Sequence, residues 1–358
     1  LNKNYSSFFV SDYDEEILKR NLENLNKIGE IDQVHLIHDY EMLVKKGEKD
    51  FISFLEILEK YFLNTDKKFV LSEIISYLNF YYYLINAEIT RTNTNITRTD
   101  ANRYNIQTNK NNNQKSESSS QEFAYLLEKF SLRVLEILGR EPKENEEPYE
   151  TALRQKALFS LGLIENKEIL KFSQEKFEEF LRNTDADLRR LHADQRRKEI
   201  LHPDIKQAIF NNALIANDNY LEKLLDYYRR TNLIEEQSKC LNAFGNLKNL
   251  EKLKSIFDFI LSPEVRFNQV IFFLSSVSLN ASATNFTFNW LKDNWQKLEA
   301  KGGGPGKSDF VLIRILKSTI PYVGAFIEEK ELEEFLNQES FKRFEKTKNV
   351  VLEKAKIN

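Results

Sequence analysis

The sequence predicts an all-α protein, a HEAT-like α-solenoid of short helix pairs, on three observations. Turn-forming residues are scarce, with ten glycines and six prolines in 358 residues, too few for the tight turns of a large sheet protein. Apolar side chains recur at i, i+3, i+4 and i+7 in segment after segment, the period of a helix with one buried face. These segments are short and follow one another in tandem, so each pair needs neighbours to cover its apolar stripe.

Taken in order, the opening stretch SSFFVSDY is the one strand-like segment. Residues 1–14 read as a short N-terminal strand and linker from an upstream domain. The chain begins with Leu1 in place of Met, which points to a piece of a longer protein or a processed product. A first helical group, 15–89, carries helical periodicity over Ile17–Ile28, Val34–Val44, Phe51–Phe62 and Phe69–Ile85. Residues 90–121, rich in Asn, Thr and Ser, cannot offset their ordering entropy by burial, and a disordered insertion is expected there.

The main helical group, 122–358, continues with Phe123–Leu138, Thr151–Leu163, Glu165–Phe172, Gln174–Leu181, Ile205–Ala216 and Tyr220–Tyr228. Leu233–Phe244, Leu247–Ile260, Glu264–Leu279, Asn285–Leu298, Asp309–Ser318 and Glu329–Leu336 follow, with a closing helix from Ser340. Pro203 and Pro263 sit where first-turn prolines belong, the latter behind Ser262 as N-cap.

Composition excludes several classes. Fifty-two basic residues against 55 acidic give a net charge of −3, with no general attraction to nucleic acid or an anionic membrane. The longest apolar stretch, Phe69–Ile85, is broken by Ser72, Glu73, Ser76 and Asn79, short of the roughly 20 apolar residues a membrane helix requires. The single Cys240 forbids an intrachain disulfide and points to a reducing, cytoplasmic location.

Chemistry-bearing motifs fail on spacing. GGGPGKSD at 302–309 imitates a phosphate loop, but the first glycine of that motif falls at Lys301, and a helical pattern precedes it in place of a strand. It reads as a helix–helix connection. His35 and His38, in HLIHD, are three residues apart, whereas the zinc-peptidase pattern His-Glu-x-x-His holds its ligands four apart, and that pattern occurs nowhere. His192 and His202 lack metal-ligand companions and read as structural. Cys240 lies among apolar neighbours with no nucleophile motif, a buried small hydrophobe. The basic run LRRLHADQRRKE interleaves acids with its arginines and has no aromatic residues to stack bases.

Several stretches, in one order, resemble the C-terminal helical domain of M1-family zinc aminopeptidases, the group containing puromycin-sensitive and endoplasmic-reticulum aminopeptidases and tricorn-interacting factors. LNKNYSSFFVSDYD resembles a family opening of the form LN, five residues, YYRV-x-YD. DQVHLIHDYEMLVKKG matches an NRA-x-L-x-x-D-x-F element, LHPDIKQAIFNNAL an apolar-Pro helix, and EEQSKCLNAFGNLKNLEKLKSIFDFILSPEVRFNQV an ALG segment followed by VR-x-QD. LNASATNFTFNWLKDNWQKLEAKGGG is similar to the family's NW-x-x-L helix and glycine loop, and EKTKNVVLEKAKIN to its last helix. The chain departs from the pattern at Val10, Gln33 and Asn268-Gln269, which removes bidentate guanidinium contacts at two positions.

The resemblance implies a bowl of helices that caps a catalytic domain and contributes no zinc site of its own. Zinc, the M1 catalytic domain (in the same chain or a split partner) and the peptide substrate are all implied from outside this segment, with no nucleic-acid or membrane partner. This chain alone is not expected to be an enzyme, though its parent is. Arg266 and Arg314 match family arginines and are the candidate peptide contacts; pairing with acidic neighbours is the alternative for both, and favoured. A freestanding helical scaffold that binds a protein or peptide is the alternative function.

Overall fold

The computed structural model describes residues 10–93, 113–189 and 201–357. Sixteen α-helices dominate, and no strand occurs among the described residues. The chain divides into two compact units, residues 1–85 with 96–164 and residues 86–95 with 165–358.

The first unit contains α1 (Glu15–Glu23), α2 (Glu30–Lys45), α3 (Phe51–Ile57, continued by a π-helical turn Leu58–Phe62), most of α4 (Lys68–Asn93), α5 (Asn113–Leu138) and α6 (Pro148–Leu163). Local chemistry starts these helices. The Asp14 and Asp50 carboxylates each accept a first-turn amide at 2.8 Å, from Ile17 and Ser53, answering N–H groups that have no partner inside the helix. Glu147 and Glu150 form a capping box around Pro148, whose missing N–H costs nothing at that position. Phe54, Leu58, Phe62, Val70, Ile74, Leu78, Phe130 and Leu158 are fully buried, each worth roughly 1.5–3 kcal/mol against exposure.

Two expectations meet the structure here. The N-terminal strand is not seen: residues 1–9 lie outside the described residues, and 10–14 run without sheet pairing into the Asp14 cap of α1. Of the 90–121 insertion, 90–93 close α4 and 113–121 open α5, while 94–112 lie outside the described residues. Gln33 is buried and donates its amide to Leu25 O (2.7 Å) and Ile28 O (3.0 Å).

In the second unit α7 (Lys167–Arg189), α8 (Pro203–Ala216), α9 (Tyr220–Arg230), α10 (Ile234–Phe244), α11 (Leu250–Leu261) and α12 (Val270–Val277) are followed by α13 (Thr284–Lys301), α14 (Asp309–Val323), α15 (Glu329–Leu336) and α16 (Glu345–Ile357). The packing is that of a solenoid: α8, α10, α12, α14 and α16 lie side by side in chain order, each against the next. The intervening helices cover one side of this row, as when Phe257 of α11 meets Phe273 of α12 edge-on at 4.8 Å.

Helices expected separately at 165–172 and 174–181 are one continuous α7. Ser173, at the expected break, is fully buried and accepts a hydrogen bond from Asn212 Nδ2 of α8 at 3.2 Å. The helix expected from Glu264 starts later: Ser262 ends α11 in extended conformation, Pro263 lies in the turn, and a 3₁₀ turn Phe267–Gln269 leads into α12. The Ser262 hydroxyl accepts the Glu264 amide in that turn, so serine and proline close one helix and do not open the next.

Candidate functional site

One face of the row in the second unit is left open. On α12, Val270, Phe273, Leu274 and Val277 are buried, and Ser276 accepts from Asn246 Nδ2, in the turn after α10, at 3.2 Å. Phe272 of α12 and Leu279, in the turn after it, lie outside that buried set, 37% and 44% exposed. Leu312, Ile315, Leu316, Thr319, Ile320 and Val323 of α14 are buried, and the opposite stripe carries Phe310, Arg314 and Lys317. Phe310, 70% exposed, is far more open than a core aromatic. On α10 the residues outside its buried stripe include Glu235, Lys239 and Asn242, with the Lys239 ammonium bridging Glu235 (2.8 Å) and Glu236 (3.1 Å).

Of the two candidate arginines, Arg314 lies on this face and Arg266 in the turn that precedes α12. Both are exposed, and neither forms an ion pair among the described residues, contrary to the favoured expectation of pairing. Glu264, the carboxylate nearest Arg266 in sequence, is taken by the Arg229 fork at 2.6 and 3.2 Å. The Arg314 guanidinium lies 5.7 Å from the Phe310 ring centroid, a cation–π contact. Lys317, one turn further on and also without an ion pair among the described residues, was not singled out from the sequence. Its signal was there in the spacing Phe310, Arg314, Lys317, which puts all three on one helical stripe.

Beneath α10 lies a buried ionic cluster. Glu236 meets Lys206 Nζ at 3.2 Å and accepts from Tyr227 OH at 2.9 Å, with both charged side chains under a tenth exposed. Burial opposes ionisation of Glu236, yet Lys206 and Lys239 hold its carboxyl below the ordinary range. Burial, reinforced by Glu236, pushes the Tyr227 phenol upward. Burial first, then Glu236, does the same to Cys240, a fully enclosed thiol with the character of an inert core residue.

The glycine-rich segment is a helix connection. Gly303, Gly304 and Gly306 take φ of +93°, +93° and +82°, and Gly304 N–H donates to Glu299 O at 3.0 Å to close α13. A carboxylate, Asp309, opens α14 and accepts from Gly306 N–H and Arg343 Nε, occupying with its own charge the place a phosphate would need. The His35–His38 pair has other duties: His35 is buried, and His38 Nδ1 lies 2.7 Å from Tyr77 OH. Among the described residues no group of three or more His, Cys, Asp or Glu is placed to hold a metal ion. His202 caps α8, Nδ1 accepting from Asp204 N–H at 3.3 Å, while His192 and most of the basic run lie outside the described residues. No described helix is long and apolar enough to cross a membrane.

Comparison with known proteins gives a consistent result. The family described as ERAP1-like C-terminal domain matches residues 1–357. Aminopeptidase M1 of Arabidopsis thaliana is 27% identical over 225 residues, covering 62% of this chain and 24% of that protein. Aminopeptidase M1-A and aminopeptidase M1-D of Oryza sativa subsp. japonica are each 22% identical across the whole chain, over 36% of their own length. The chain thus spans roughly a third or less of the curated relatives it matches.

Proposed function

We propose, from the premise that the chain belongs to the ERAP1-like C-terminal domain family, that it is the substrate-capping part of an M1 zinc aminopeptidase that removes N-terminal residues from peptides. The match over nearly every residue of the chain carries this reading, and the open face of α10, α12 and α14 supports it. Exposed Phe272, Leu279 and Phe310 offer apolar contact, and Arg314 and Lys317 offer charge, the mixture that grips an extended peptide of varied sequence. Arg266 stands at the margin of that surface as a further contact.

Zinc would supply the polarised water of hydrolysis when bound by the catalytic domain. The described residues do not fit a zinc site, since His38 is engaged by Tyr77 and no donor set converges. What this chain contributes is enclosure: HEAT-like stacked helices shield the peptide from bulk water and hold its distal portion while the N-terminus reacts elsewhere. The partner is an M1 catalytic domain, in the same polypeptide or a separate one. A cytoplasmic setting agrees with a single, buried, unbridged cysteine.

Hydrolysis of an aminoacyl fluorogenic amide and of a longer peptide separates the alternatives. This chain alone should turn over neither. Joined to its catalytic domain, Phe310→Asp should slow the longer peptide several-fold and leave the aminoacyl amide, too short to reach the face, unchanged. Turnover by the isolated chain, or equal effects on both substrates, would refute the proposal.

A further inference from the structure

We propose that the open face of the second unit selects peptides bearing an acidic side chain downstream of the reacting end, held between Arg314 and Lys317 against the Phe310 ring. This rests on the reading above only in taking the ligand to be a peptide. On α10, Glu235 and Lys239 neutralise one another at 2.8 Å. α12 and the turns that flank it present Asn268, Phe272, Ser275 and Leu279, none of them charged. α14 adds two cations, Arg314 and Lys317, with no ion-pair partner among the described residues. The stripe therefore has a surplus of positive charge that its own side chains do not answer.

Geometry adds direction. Arg314 Cζ lies 5.7 Å from the Phe310 ring centroid, and with no ion pair among the described residues its N–H groups are open to the paired oxygens of a carboxylate. Residues three apart on a helix have Cβ atoms about 5–6 Å from each other, so the Lys317 ammonium can reach the same carboxylate. Phe272 on the adjoining α12 and Leu279 in the turn after it suit an apolar residue beside the acidic one. Phe310 could have been a shielded core aromatic; at 70% exposure it forms a ledge.

The test is direct binding of labelled peptides to the 358-residue chain, read by fluorescence anisotropy at low salt. One apolar peptide carries Glu, Gln or Lys at a single interior position, each version made as the free acid and as the C-terminal amide. The Glu peptide should bind about tenfold tighter than the Gln peptide, a difference of about 1.4 kcal/mol, with the Lys peptide weakest and the preference fading as salt rises. Amidating the C-terminus should change little. Arg314→Gln and Lys317→Gln, both at exposed positions, should each reduce the preference while circular dichroism stays unchanged. Equal binding of Glu and Gln peptides, no measurable binding of the Glu peptide, a preference that follows the C-terminal carboxylate, or a preference that survives both substitutions would overturn the proposal. Each of those results leaves the hydrolysis assay of the joined enzyme to stand or fall separately.

Discussion

Two arginines in the two units show how one side chain serves opposite ends. Arg154 of α6 is fully buried: Nε donates to Gly139 O at 3.0 Å, Nη2 to Leu138 O at 3.0 Å, and Nη1 to Glu146 at 2.7 Å. That fork gathers the end of α5, the following loop and α6 into one body, and the Arg154 hydrogen bond is the main reason the Glu146 carboxyl lies below its ordinary range. Arg314 is exposed, touches one ring and has no carboxylate partner among the described residues. The difference teaches where to look for a binding role: a guanidinium with all its donors engaged holds the fold, and one with idle donors on a built ledge is available to a ligand.

The comparison is broken most severely at Arg154. Arg154→Ala leaves Glu146 charged with two carbonyls unserved, and should cost about 4 kcal/mol by urea denaturation. Replacing both partners, Arg154→Met with Glu146→Leu, should recover much of that loss, because no uncompensated charge then stays inside.

Next in size comes the buried cluster of the second unit. Glu236→Gln keeps the shape but removes the negative charge that Lys206 and Lys239 face, a loss of about 2 kcal/mol. The pH dependence has a definite sign. Glu236 is depressed from its ordinary 4.5, so its contribution is complete above that unfolded-state value and disappears as pH falls through the lower folded-state value. Denaturation midpoints measured from neutral pH into that acid range should fall less steeply in Glu236→Gln than in the parent.

Gly245→Ala tests the packing on which the open face rests. A Cβ there would lie 2.6 Å from the Ser276 side chain and 2.6 Å from Val277 N of α12, and moving backbone should cost about 1.5 kcal/mol, measurable as a lowered melting temperature. The smallest effect on stability belongs to Arg314→Gln, within about 0.5 kcal/mol of the parent. A larger loss would mean that Arg314 supports the fold as Arg154 does, and would remove the contrast between them.

Much of this was legible beforehand. The helices announced themselves because the 3.6-residue period and the caps are local: Asp14, Asp50 and the Glu147–Glu150 box act within one turn of their own positions. The resemblance placed a glycine in LNAFG, and the structure shows what it is for, since α10 and α12 touch there. Less local matters were read differently. Ser173 looked like a break between helices until Asn212, 39 residues away, supplied its partner, and Pro263 looked like a helix start until Ser262 proved to close α11.

That this chain is helical, and where nearly all of its helices run, was written locally, because a helix answers to neighbours three and four residues away. Which charges are left over among the described residues depended on the fold. Glu264 goes to Arg229 and not to Arg266, and Glu236 is enclosed by Lys206 and Lys239, because ion pairing depends on side chains brought together from distant turns, a distance that no local pattern encodes.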